Sequence, residues 1–106
     1  MSWSVVFLNQ SVVGEFEGLP PDMRASFERI VTLIRNVGLE RVREPYIKHL
    51  DDKLWEMRLK GRDGIVRAIY VTAVGRRVVI LRVFTKKTQK TPRREIELAR
   101  QRMQEI

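Results

Sequence analysis

Cysteine is missing from the 106-residue sequence, and histidine occurs once, as His49. Without a thiol there is no disulfide framework, no thiolate nucleophile and no cysteine-based zinc site. A single histidine and the lack of a carboxylate cluster in the basic part of the chain argue against a hydrolytic metal centre, so neither metal nor cofactor is expected. No glycine-rich phosphate loop and no Ser-His-Asp set is visible. No apolar run approaches the length of a membrane span, and the first residues lack a basic-then-apolar leader pattern. A cytoplasmic protein with no membrane role and no small-molecule cofactor is the expectation.

Acid is scarce in one region only. Residues 53–94 hold 13 Lys/Arg and 2 Asp/Glu, whereas residues 1–52 hold 6 and 8 and residues 95–106 hold 2 and 3, for a net charge of +8. A basic excess confined to one block is the electrostatic footprint of a polyanion binder. Apolar residues make up 43% and charged residues 32% of the chain. That is the composition of a folded protein, and the length suits a single domain over residues 1–106.

The basic block is organised around one stretch, Val78 to Pro92. Val78, Val79, Ile80, Leu81, Val83 and Phe84 form a nearly continuous apolar run, as in a strand buried on both faces. Lys86, Lys87 and Lys90 follow at once, and Thr91-Pro92 then opens a helix with the stripe Ile96, Ala99, Met103 and Ile106. Such a strand delivers cations rigidly to the edge of a sheet.

The preceding elements read as scaffold. Trp3 to Leu8 is a short strand. Asn9 or Ser11 caps a helix through Glu17, ended by Gly18. Proline in a first turn restarts the chain, and Met23, Phe27, Ile30, Val31, Ile34 and Val37 form one helical stripe closed by Gly38. Residues 39–52 connect, with a short extended piece at Tyr46 to Leu50. Leu54 to Lys60 and Ile65 to Ala73 alternate as strands around the hairpin Gly61-Arg-Asp-Gly64, and Gly75-Arg76-Arg77 turns into the Val78 strand. The expected class is α+β, a four-stranded, mainly antiparallel sheet with helices packed on one face, in the order β-α-α-β-β-β-α. Trp55, Met57 and Leu59 should face the core. Arg58, Arg67 and Arg82 sit mid-strand among apolar neighbours, where a charge must be paired or wet. On the uncovered face they would form a cationic floor, and Glu56 could pair with Arg58 and Arg67.

With no metal ligands, the chemistry left to such a surface is metal-free cleavage of a phosphodiester. An RNA 2′-hydroxyl attacks the neighbouring phosphate when the backbone is bent in line and the dianionic intermediate is stabilised by arginine and lysine. His49, or a lysine whose pKa is depressed by its cationic neighbours, could take the proton.

The segments Leu54-Trp-Glu-Met-Arg58, Val66-Arg-Ala-Ile-Tyr70, Phe84-Thr-Lys-Lys-Thr-Gln-Lys-Thr-Pro92 and Glu95-Ile-Glu-Leu-Ala99 resemble the RelE/ParE toxin superfamily, and within it the HigB-like, phage-derived branch. The resemblance spans essentially the whole chain, and the Phe84–Pro92 segment carries it most specifically. It implies a RelE-like fold and the toxin of a type II toxin–antitoxin pair, a ribosome-associated mRNA endoribonuclease. The implied partners are a small helix-turn-helix antitoxin, the ribosome and mRNA. Matched residue by residue, Arg58 and Arg67 answer to the family's strand arginines, Lys86 and Lys87 to its strand-end cations, and Lys48 to a basic residue often found ahead of the Leu54–Arg58 strand. Taken with the reading of the remaining residues, Arg67, Lys86, Lys87 and His49 become catalytic candidates. Lys48, Arg58, Arg82, Lys90, Arg93 and Arg94 become RNA-binding candidates. The sequence departs from relatives that place a tyrosine or histidine near the C-terminus, since it has neither after Tyr70. The alternative is a non-catalytic binding member of the superfamily, including a ParE-like gyrase poison.

Overall fold

The computed structural model describes residues 2–42, 46–62, 64–86 (the backbone only at Lys86) and 90–106. Strand β1 (Ser4–Phe7) leads into α1 (Gln10–Glu17) and α2 (Pro21–Val37), and a single 3₁₀ turn over Leu39–Arg41 follows. Then come β2 (Ile47–Asp51), β3 (Leu54–Gly61), β4 (Gly64–Ala73), β5 (Arg77–Lys86) and α3 (Arg93–Met103). The α+β order is as expected, with one strand more: the extended piece at the end of the connector pairs with β3, so the sheet has five strands ordered β1-β5-β4-β3-β2. β1 runs parallel to β5, and every other pairing is antiparallel.

Local chemistry accounts for the helix ends. The Asn9 side chain accepts from the Val12 amide at 3.1 Å and caps α1. Gly38, at φ 92°, closes α2 in a conformation that costs a residue with a Cβ. The first turn of α2 is tied to the β3–β4 hairpin, because Asp22 accepts from the Arg62 amide at 2.9 Å.

Both faces of the sheet are covered, by different helices. α1 and α2 bury Val12, Phe27, Ile30 and Ile34 against Met57, Leu59, Val66, Ala68, Tyr70, Val78 and Ile80. The third helix lies on the other side, where Ala99, Ile96 and Met103 pack with Leu54, Ile69, Val71, Val79, Leu81 and Phe84. The expectation of helices on one face is corrected here: α3 crosses to the opposite face. The reason is written in β5, whose continuous apolar run presents bulky side chains to both sides and leaves neither fit for water. Trp55 keeps the expected register beside Tyr70 but remains 38% exposed, whereas Met57 and Leu59 are fully inside.

One irregularity matters for the charges. The β4–β5 ladder slips between Ile69 and Tyr70, so that Ile69 pairs with Arg82 and Tyr70 with Ile80. The extra residue on β5 puts Leu81 and Arg82 on the same side. Strict alternation would have driven Arg82 into the core beneath α1 and α2; the bulge sends it toward α3.

Candidate nucleic-acid interface

In the β3–β4 ladder Arg58 stands directly opposite Arg67. Two like charges facing each other on one side of a sheet repel, and the arrangement needs an anion between them. Glu56 supplies it from two positions back on β3, on the same face. Its Oε1 accepts from Arg58 Nε and, at 3.2 Å, from Arg67 Nη1. Its Oε2 accepts from the Thr91 hydroxyl at 2.6 Å, and that hydroxyl in turn accepts from Arg67 Nη1 at 3.2 Å. Glu56 and Arg67 are fully buried, and Thr91 nearly so. Buried charges are tolerated when paired and hydrogen-bonded in this way.

The sequence places the three arginines on an open floor, and the structure corrects that. Arg67 lies beneath the residue that leads into α3, because α3 has crossed to this face. Burial, first of all, lowers the pKa of its guanidinium; Glu56 opposes the shift and Arg58 adds to it. An arginine nonetheless stays protonated. Arg58 is the member of the pair that reaches solvent, with 17% of its side chain exposed.

Lys48 on β2 pairs across the ladder with Glu56 and is exposed on this same face. The Lys86 backbone pairs with Ile65, two residues from Arg67 along β4. Lys87 lies outside the described residues. Lys90, Arg93 and Arg94 are exposed around the start of α3. Arg93 reaches only as far as Glu97, at 3.9 Å. The described residues around Glu56 thus carry two arginines and a lysine against one carboxylate, and the local field is positive.

Two candidates fall elsewhere. His49 pairs with Trp55 and therefore shares its face, the one covered by α2. Its ring packs edge-on to Trp55 at 4.8 Å between centroids, and Nε2 lies 2.7 Å from the Asp52 carbonyl oxygen, which accepts from it. The sheet separates it from Glu56 and both arginines. Arg82 is held between two carboxylates: Nε donates to Glu95 at 2.8 Å and Nη1 meets Glu15 at 2.8 Å. Burial acts against its charge, but those bonds outweigh it and hold the guanidinium above its usual pKa. Arg102 joins the same group, bonding Glu15 and the Leu81 carbonyl, each at 2.8 Å. Glu15 also accepts from the Val83 amide at 3.1 Å, beyond the point where β1 stops covering the edge of β5. These four side chains pin α1, β5 and α3 together. Sequence reasoning passed over Glu15, Glu95, Arg102 and Thr91, since none has a near neighbour in sequence that would announce its partner.

Tyr70 is core, as its setting in β4 suggests, and burial pushes its phenol above the usual range. Among the described residues no group of three or more His, Cys, Asp or Glu side chains could hold a metal ion. None of the helices described is long and apolar enough to cross a membrane.

The sequence matches the family described as Phage derived protein Gp49-like (DUF891) over residues 14–104. No curated protein matches it. Among solved structures the fold resembles the archaeal RelE of the RelE–RelB complex from Pyrococcus horikoshii OT3. That likeness has a TM-score of 0.63 at 19% identity and covers 85% of this chain and 100% of that one. It also resembles a double arginine-to-alanine mutant of the Escherichia coli toxin RelE in the free state. There the TM-score is 0.64 at 14% identity, with 97% of this chain and 99% of the other covered.

Proposed function

The chain belongs to the phage-derived Gp49-like family and has a RelE-like fold, and on that premise we propose that it is the toxin of a type II toxin–antitoxin pair, a ribosome-dependent mRNA endoribonuclease. The observation that carries this reading is the positive cluster around Glu56, with Arg58 at the surface, Arg67 behind it and Lys48 alongside.

In the proposed reaction the 2′-hydroxyl oxygen of one nucleotide bonds to the adjacent phosphorus and gives its proton to a base. The bond from phosphorus to the 5′-oxygen of the next nucleotide breaks, and that oxygen takes up a proton. The products are a 2′,3′-cyclic phosphate end and a 5′-hydroxyl end. Arg58, Lys48 and one of the strand-end lysines Lys86 and Lys87 stabilise the charge that builds on the phosphate oxygens. Arg67 holds the cluster from behind through Glu56. A strand-end lysine serves as the base in place of His49, which sits across the sheet. Lys90, Arg93 and Arg94 add attraction for the RNA backbone.

The RelE–RelB complex among the fold relatives supports an antitoxin partner for this chain. A small helix-turn-helix protein with an acidic segment would neutralise the cluster by occupying the same cations.

The test is cleavage of mRNA on programmed ribosomes, with the ends of the products identified. Cyclic phosphate ends, lost when the nucleotide to be cut carries 2′-deoxyribose, are expected. Undiminished cutting of the 2′-deoxy message would sink the mechanism.

A further inference from the structure

Beside Arg58 the edge of the sheet opens into a groove. β2 begins at Ile47, opposite Met57, and the Arg58 amide donates to the Tyr46 carbonyl at 2.7 Å. Past that bond β3 is paired with β4 alone, and no described strand covers its other edge at Lys60. Helix α2 flanks the opening instead, and the resulting cavity measures about 550 Å³, within the range of small-ligand sites.

Its walls are apolar, formed by Ile30 and Leu33 of α2, Leu59 of β3 and Ile65 of β4. Leu33 is 40% exposed and Tyr46, at the rim, 47%. The charged groups that line it are Arg29, Arg58 and Lys60, with no carboxylate among the described residues. An apolar slot with an open aromatic ring and, among the described residues, only cations as its charged groups matches a flat group attached to a phosphate. Single-stranded RNA presents such a group, since its unpaired bases stack on aromatic rings while arginine and lysine follow the backbone. An acidic peptide would answer the charges as well. It is disfavoured by the apolar walls and the exposed Tyr46 ring, to which a carboxylate side chain offers no flat face, whereas Arg58 belongs to the groove and to the Glu56 cluster at once. A base seated in the groove keeps its own phosphate against the guanidinium proposed to face the reacting one.

The geometry points to a nucleotide subsite between α2 and β3: one unpaired base of the RNA stacks on Tyr46 within the groove, and Arg29, Lys60 and Arg58 hold its phosphates. This rests on the RNA substrate proposed above and assigns it a specific contact off the cluster. Loss of one base-stacking ring weakens binding by roughly 10-fold to 100-fold.

The experiment is an NMR titration of isotope-labelled protein with hexauridylate and hexaadenylate, and with an abasic ribose-phosphate oligomer of equal length. Shifts of the Ile30, Leu33 and Ile65 methyls and the Tyr46 ring are expected with the base-containing oligomers only. Tyr46→Ala, a change at an exposed position, should weaken their binding by that factor, and Tyr46→Phe should restore it. If the hexamers move Lys48, Arg58 and Lys90 but leave the groove methyls still, the subsite is wrong and the RNA reading stands. If they move neither region, both fail. Equal groove shifts from the abasic oligomer, or shifts caused by a polyglutamate peptide and not by RNA, would also overturn the subsite, the latter in favour of a protein partner.

Discussion

The Thr91 hydroxyl donates to Glu56 Oε2 at 2.6 Å, joining the residue before α3 to the middle of β3 across 35 positions of sequence. The same hydroxyl accepts from Arg67, so one small side chain closes a ring of three buried polar groups. The surface around Arg58 is thereby fixed from beneath by that ring.

Replacing Thr91 by valine keeps the shape and removes the hydroxyl that donates to the buried Glu56 Oε2. A loss of about 1–3 kcal/mol in urea unfolding is expected, with Thr91→Ser close to wild type. An unchanged valine variant would mean that Glu56 is satisfied without Thr91.

Arg58 and His49 should separate cleanly in single-turnover cleavage at saturating ribosome. Arg58→Ala is expected to lose on the order of 10²–10³ in rate, the usual effect of removing one group that stabilises developing charge. His49→Ala should cleave as wild type does, because its ring lies on the α2 face. A silent Arg58 variant beside a crippled His49 variant would reverse the assignment of the active face.

Arg82 should behave as a structural cation. Arg82 and Glu15 are partly exposed but Glu95 is buried, so Arg82→Met, which strips that carboxylate of its cation, is expected to cost about 1–3 kcal/mol in stability. The salt dependence of RNA binding should hardly move, whereas Arg58→Ala should lower that slope by about one contact. A reduced slope for Arg82→Met would return it to the RNA-binding set.

Stability should fall in acid partly through Glu15. Burial pushes its pKa up from 4.5, but bonds from Arg102 and the Val83 amide, with the charges of Arg82 and Arg102, bring it to a net position below that value. A carboxyl whose folded pKa is lowered contributes stability that is complete above its unfolded pKa and disappears as pH drops through the folded one. Urea midpoints should therefore decline below about pH 4.5, and Glu15→Gln should decline less steeply than wild type. Parallel curves for the two proteins would remove Glu15 from the account. Asp22, lowered by the Arg62 amide, contributes to both curves alike.

The sequence by itself determined the elements and their order. Alternation in Leu54–Lys60 and Ile65–Ala73, the stripe from Met23 to Ile34 and the glycines at the hairpin each depend on residues close in the chain, so the period shows the structure. It also determined that cations gather in one block, and the Glu56–Arg58–Arg67 contact was within reach because a two-residue spacing puts Glu56 and Arg58 on one strand face. The two-sided apolar run of β5 called for cover on both faces, but only the tertiary structure decided that α3 supplies it on the second, and with it the fate of Arg67, which is covered by the start of that helix. It alone turned Arg82 toward Glu95 through a bulge that shifts one residue without leaving a mark in composition. It also put His49 behind the sheet and Lys48 in front, because a strand reverses its side chains at each residue and the register of β2 against β3 was not written in either segment. Contacts such as Thr91 to Glu56 join distant residues, and no local pattern can specify a partner that the fold has yet to bring near.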